Sequence, residues 1–426
     1  MMAVATVATR RLLVERLPIL TTALLTLPLA VIGLGSIVGT SLHQLSGEAE
    51  QVDFVAFYTA ARLMLSDPSR LYDWQAWASV QSVLHSEPLP ILEFWNPPHT
   101  ALLLAPLAAL PFGVAYLVWL VGNLACLAAA CALLAPRLPN ERWWGLKWTL
   151  AVLLFLPVQL GLIMGQMCFA LLLGFAVFVR LAPRASWART GLALVPWTWK
   201  PHLLPVLLLA LGARRAWRTL LLVSLLPAGA CLGVALLAGP SLLGAYLRLA
   251  TGAGSGVVAA EGTHLDAGHG FLGLAQWLVG PGPMASGLAM LASLGMGWLV
   301  VRVWREGLVS DARRWLQLAM LPIAATLGSP HVLGYDATLW LGSAWLALRF
   351  AAAVPETRRL IMTAVLIGWW GGNLAALPRV STWAPWGALS GVACLVVLAW
   401  LLHGRRGSAA ALPCPRSLDR SNCSYV

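Results

Sequence analysis

Apolar runs long enough to cross a membrane recur from Pro18 to His403, with short arginine-rich joints between them. About 20 apolar residues cover a hydrocarbon core. A chain built from such runs is expected to be an all-α polytopic integral membrane protein, since a β-barrel would show short alternating segments instead. Residues 1–403 are expected to form one transmembrane unit. The Gly-, Pro- and Ser-containing tail at 404–426 is expected to be cytoplasmic and without fixed structure. Arg10, Arg11 and Arg16 precede the first run, and because further runs follow, the pattern is that of an uncleaved signal-anchor.

The net charge of +12 resembles that of a nucleic-acid binder, but its distribution excludes that class. The cations cluster at the ends of apolar runs, as the positive-inside rule describes. No continuous basic face with stacking aromatics is present. Cys126, Cys131, Cys168, Cys231 and Cys394 lie within apolar runs, where cysteine behaves as a small hydrophobe. Cys414 and Cys423 lie in the tail, and no pair has zinc-ligand spacing with nearby histidines.

Charge also orients the chain. With the N-terminus inside, a first crossing at about 18–39 leaves 40–96 outside, and this loop carries seven acidic and two basic residues. The joints around Arg137, Arg142 and Lys147, around Arg180, Arg184 and Arg189, and around Arg214, Arg215 and Arg218 should face the cytoplasm. That parity requires residues 97–112, with four prolines, not to cross. This stretch is expected to be a juxtamembrane or re-entrant helix within an outer loop at 40–112. Crossings then fall at about 113–135, 146–164, 167–181, 186–199, 202–213, 218–238, 284–301, 315–329, 333–350, 360–378 and 384–403. The total is about twelve, with a second outer loop at 239–283.

Four unusual polar sites land on the outer side of this scheme: Asp53, Gly165-Gln166, Lys200-Pro201-His202, and Ser329-Pro330-His331 with Tyr335-Asp336. Acidic residues near membrane spans are costly and tend to be functional. Each site has an ordinary alternative. Asp53 could cap the helix that follows, and Lys200, one of two lysines in the chain, could snorkel to the interface. Gln166 could bond a neighbouring helix, Asp336 could cap its own, and His331 could be a loop histidine without a task. Together, however, these residue types suit transfer from a lipid phosphate. A carboxylate can act as general base, and a lysine supplies a cation for the phosphate.

The motifs Asp-Phe-x-x-Phe-Tyr and Ala-Ala-Arg-x-x-Leu (53–65), Leu71-Tyr72-Asp73, Pro-Pro with Ala-Pro-Leu-x-x-Leu-Pro (97–111), Gly165-Gln166, Lys200-Pro201-His202 with Arg214-Arg215-x-Trp217-Arg218, and Ser329-Pro330-His331 with Tyr335-Asp336 carry a resemblance. Over about 45–350 the chain resembles bacterial polyprenol-phosphate-mannose-dependent mannosyltransferases of glycosyltransferase family 87, in the GT-C fold class. The resemblance implies inverting transfer of a sugar, usually mannose, from a polyprenyl-phosphate donor to a lipid or glycan acceptor. The site would lie on the extracytoplasmic side of the cell membrane, with no metal or other cofactor. It implies Asp53 as catalytic base, Lys200 and His331 as donor-phosphate contacts, and Tyr58, Arg62, Gln166, His202 and Asp336 as further substrate-binding candidates. Asn96-Pro97-Pro98 departs from the Tyr-Pro-Pro frequent in the family. Two rival classes are a transporter of lipid-linked saccharides, disfavoured because no internal repeat is visible, and a membrane transferase of another chemistry.

Overall fold

A computed structural model describes residues 2–46, 49–50, 52–85, 90–136, 144–181, 187–251, 268–305, 311–377, 380 and 383–403. Residues 404–426 and Arg137, Arg142 and Arg184 lie outside them, as does 252–267 of the second expected outer loop. Among the described residues the chain is helical and has no strand. Its helices are α1 (Met2–Leu45), α2 (Asp53–Ser66), α3 (Trp74–Gln81), α4 (Pro98–Leu104), α5 (Phe112–Leu134), α6 (Trp144–Leu153), α7 (Leu156–Ile163), α8 (Cys168–Leu181) and α9 (Trp187–Leu194). They continue with α10 (Pro205–Ala213), α11 (Trp217–Ala238), α12 (Ser241–Ala250), α13 (Phe271–Val279), α14 (Pro283–Arg305), α15 (Asp311–Gly328), α16 (Trp340–Ala353), α17 (Arg358–Ala375) and α18 (Trp386–His403).

Five helices have the length and apolarity of a membrane span: residues 19–45 of α1, then α5, α11, α14 and α18. The pair α6–α7 makes a sixth if its 68° bend is counted as one broken span. Their outward surfaces carry exposed large apolar side chains, such as Leu24 and Ile32 on α1, Leu237 on α11 and Leu291 on α14. So extensive an apolar exterior marks a surface that water does not face. The chain is therefore a multi-pass membrane protein. The other expected crossings overlap α8, α9, α10, α15, α16 and α17, which are shorter or carry charges.

The first helix corrects one boundary: α1 continues past the expected end at Gly39 to Leu45, because residues 40–45 contain no helix breaker. Residues 98–109 form α4 followed by a 3₁₀ turn, Ala105–Ala109, and this short piece packs against α2. The helix α2 is more enclosed than a juxtamembrane helix on a surface would be. Residues 54–61, with Leu63 and Met64, are buried. Phe54 sets this packing, with its ring 5.8 Å from Phe112, 5.4 Å from Tyr116 and 6.2 Å from Trp119. Aromatic pairs at these separations add to simple burial, and they hold the start of α2 against α5.

Candidate active site

Asp53 is the first residue of α2, and the cap position is Val52, which supplies no side-chain bond. The Asp53 carboxylate is thus not used as a helix cap. It accepts a hydrogen bond from Gln166 Nε2 at 2.5 Å and another from the Tyr335 hydroxyl. The turn that delivers Gln166 is set by glycine. Gly165 has φ +66°, a conformation that side-chain-bearing residues avoid, and a Cβ there would lie 2.8 Å from Phe54 Cβ. Trp119 Nε1 donates to the Gly165 carbonyl at 2.6 Å, and Phe54 N donates to the Met164 carbonyl at 3.1 Å. The α7–α8 turn and the start of α2 are therefore clamped together, and Asp53 and Gln166 meet as a consequence.

Lys200 follows a 3₁₀ turn at Val195–Trp199 and precedes another at Pro201–Leu203. Its side chain does not snorkel. Nζ lies 2.6 Å from Asp336 Oδ1 and 4.6 Å from the centre of the Tyr335 ring, and both charged residues are buried. Asp336 Oδ2 also accepts the Leu333 N–H at 3.1 Å, so Asp336 does steady its own helical turn while pairing with Lys200. Tyr335 therefore bridges the two halves of the cluster. Both Lys200 and Asp336 lie close enough for their charges to act on Asp53.

Asp53 is half-buried and lies outside the span-length helices. Burial pushes its carboxyl above the ordinary aspartate value. The Gln166 hydrogen bond and the Lys200 charge oppose this, and the net direction is upward. Such a shift suits a general base, whose best value lies nearer the working pH.

At the rim, the exposed His331 ring stacks on Trp95 at 6.3 Å and meets the His202 ring edge-on at 5.9 Å. The buried His202 Nε2 makes no hydrogen bond among the described residues. Asn96 holds the strand of chain before Lys200: its Nδ2 donates to the Trp199 carbonyl at 2.7 Å, and its own carbonyl accepts the Tyr72 hydroxyl at 2.7 Å. His99 Nε2 sits 3.0 Å from Thr198 Oγ1 in the same turn. The Asn-Pro-Pro sequence is thus a brace for the Lys200 turn.

Of the residues singled out in the sequence, Asp53, Gln166, Lys200, His202, His331 and Asp336 come together. Tyr58 and Arg62 do not. Tyr58 is buried against Phe112 and donates to the Leu110 carbonyl at 2.8 Å, while Arg62 is exposed on α2. The sequence alone does not reveal Tyr335 as a partner of Asp53, although Tyr335 lies within a quoted motif, whereas a mainly structural part for Asn96-Pro97-Pro98 is legible in it. Among the described residues no group of three His, Cys, Asp or Glu is arranged to hold a metal ion.

The fold and this cluster define a polytopic helical membrane protein with one polar site gathered from five separate chain segments. Comparison with protein families matches residues 94–333, more than half of the chain, to glycosyltransferase family 87. The chain belongs to that family and is a membrane glycosyltransferase. The match contains Asn96, Gln166, Lys200, His202 and His331, whereas Asp53, Tyr335 and Asp336 lie outside its ends. Comparison with curated proteins and with solved structures gives no match.

Proposed function

We propose that this glycosyltransferase moves a sugar, with mannose as the first candidate, from a polyprenyl-phosphate donor to a lipid or glycan acceptor on the outer face of the cell membrane. The transfer inverts the anomeric centre. The observation that carries the reading is the Asp53 carboxylate, held by Gln166 and Tyr335 beside the buried Lys200–Asp336 pair. An acceptor hydroxyl oxygen attacks C1 of the sugar from the face opposite the lipid phosphate. The C1–O bond to the phosphate breaks, polyprenyl phosphate departs, and Asp53 takes the hydroxyl proton. A lysine ammonium has three N–H donors. With one directed to Asp336, Lys200 retains donors for the leaving phosphate. His331 and Trp95 form a rim on which donor or acceptor can rest, and His202 offers an unused ring nitrogen beside it.

This reading includes a GT-C-type architecture with about twelve crossings, in which the shorter helices complete the count begun by the five long ones. The active site then lies on the extracytoplasmic side, where sugars arrive on lipid carriers. The partners are membrane lipid, the lipid-linked donor and the acceptor, with no nucleic acid. The test is transfer by purified full-length protein from polyprenyl-phosphate mannose and, separately, from a nucleotide-linked mannose to candidate lipid acceptors. Product from the polyprenyl donor alone, with inverted configuration, is the expected result. Equal product from the nucleotide sugar, or retained configuration, would contradict the reading.

A further inference from the structure

A cavity of about 500 Å³ lies at the opposite end of the helices from Asp53. The α8 helix starts two residues after Gln166 and reaches this cavity ten residues further on at Phe178, about 15 Å along its axis at about 1.5 Å per residue. The α10 helix likewise leads from the Lys200 region to the cavity's basic turn. Arg214, Arg215 and Arg218 line it together with Trp187, Trp217 and Trp304. The Arg214 guanidinium stacks 5.6 Å from the centre of the Trp304 ring, and Arg314 lies near enough to repel it. Among the described residues no carboxylate lines the cavity, and no ion pair joins any of its three arginines to an acid. A volume of this size is that of a small-molecule site.

The backbone adds an independent observation. Arg215 has φ +58° and, among the described residues, is the one non-glycine with positive φ. It occupies the turn that ends α10, closed by Arg215 N to the Gly212 carbonyl at 2.9 Å and Ala216 N to the Leu211 carbonyl at 2.9 Å. Glycine is the usual residue in such a turn, because it takes the left-handed conformation without strain. The positive-inside rule accounts for the sign of charge at this end. It requires neither a cavity nor an arginine in a strained position.

We propose that this cavity binds a phosphate-ester anion, with Arg214, Arg215 and Arg218 as its ligands and the tryptophans as its apolar walls. Guanidinium forks pair with phosphate oxygens in a way a lysine point charge does not reproduce. Two sources share this chemistry: an anionic phospholipid headgroup and a water-soluble phosphate ester. Either would bring the negative charge that the three arginines lack.

The test uses the purified full chain in neutral detergent, read by its melting temperature against probe concentration. The probes are dihexanoyl phosphatidylglycerol, glycerol 3-phosphate and, as a zwitterionic control, dihexanoyl phosphatidylcholine. A saturable upward shift with the phosphatidylglycerol alone assigns the site to a lipid headgroup, and one with glycerol 3-phosphate assigns it to a soluble ester. Arg215→Gly should weaken that binding at least fivefold while leaving the probe-free melting temperature unchanged or raised, because glycine accepts the backbone. Arg218→Gln should weaken it at least fivefold as well. The proposal is overturned if neither phosphate probe binds saturably, if the phosphatidylcholine binds as well, or if both variants bind within fivefold of the parent.

Discussion

The two ends of the molecule handle charge in opposite ways. At the Asp53 end each ionic group of the cluster has a specific partner: Asp53 with Gln166 and Tyr335, and Lys200 with Asp336. At the other end Arg214, Arg215 and Arg218 line a cavity and form no ion pair with an acid among the described residues. Arg214 faces Trp304, and Arg349 donates from Nε to the Leu134 carbonyl at 2.9 Å, closing the end of α5. A count of charges along the sequence treats both ends as polar joints between apolar helices. The structure separates them by pairing. Partnered and buried charges are expensive to disturb, whereas the open arginines can change without loss of the fold.

The largest effect expected from that contrast is at Lys200. Removing one member of a buried ion pair strands the other and costs about 3–5 kcal/mol. Lys200→Ala should therefore lower the melting temperature sharply, and lost transfer in that variant would not by itself report on the donor phosphate. The double variant Lys200→Met with Asp336→Leu separates the two effects, because replacing both partners by apolar groups is often neutral. It should melt well above Lys200→Ala, short of the parent by about 1–3 kcal/mol for the Leu333 N–H left without Asp336, and fail to transfer. If instead the single alanine variant keeps full stability, the pair is not the structural element described here.

A smaller effect is expected at Gly165. Alanine there meets both the left-handed backbone, at about 1–2 kcal/mol, and the Phe54 side chain. Gly165→Ala should reduce stability by at least that much and cut transfer, since the turn places Gln166 against Asp53. Thermal melting and the transfer assay check the two parts separately. The smallest effect is at the far end. Arg218 is exposed and in no ion pair among the described residues, so Arg218→Gln should change folding stability by no more than about 0.5 kcal/mol. A large loss there would erase the distinction between the ends.

Much of this contrast was legible in the sequence. The apolar runs located nearly every helix, and charge at the joints placed Asp53, Gln166, Lys200 and His331 on one side before any contact was known. What was hidden has physical causes. The 68° bend between α6 and α7 and the burial of α2 arise from tertiary packing, which has no periodic signature. The brace from Asn96 to Trp199 joins residues far apart in the chain. Tyr58 and Arg62 were assigned to the site by motif, but helix geometry argues otherwise. At about 3.6 residues per turn, positions five and nine after Asp53 project to the far side of α2. The left-handed conformation at Arg215 could not be read at all, because no glycine stands at that position to mark it.

The central claim is that Asp53 accepts the acceptor's proton, and Asp53→Asn measures it most directly through transfer rate, donor binding and melting in one purified protein. Asparagine keeps the size and can still accept the Gln166 hydrogen bond, but it cannot serve as the base. Transfer should fall about 10²–10⁴-fold while the donor still binds. Burial raises the Asp53 value on folding, so the folded protein holds this proton more tightly than the unfolded chain does. The ionised carboxylate therefore costs stability, increasingly as pH rises from the ordinary aspartate value through the raised one, and fully above it. The asparagine variant escapes that cost and should melt no lower than the parent at neutral pH. For the same reason the acid limb of the parent's activity should lie above the ordinary aspartate value. Near-normal transfer by Asp53→Asn would contradict the account.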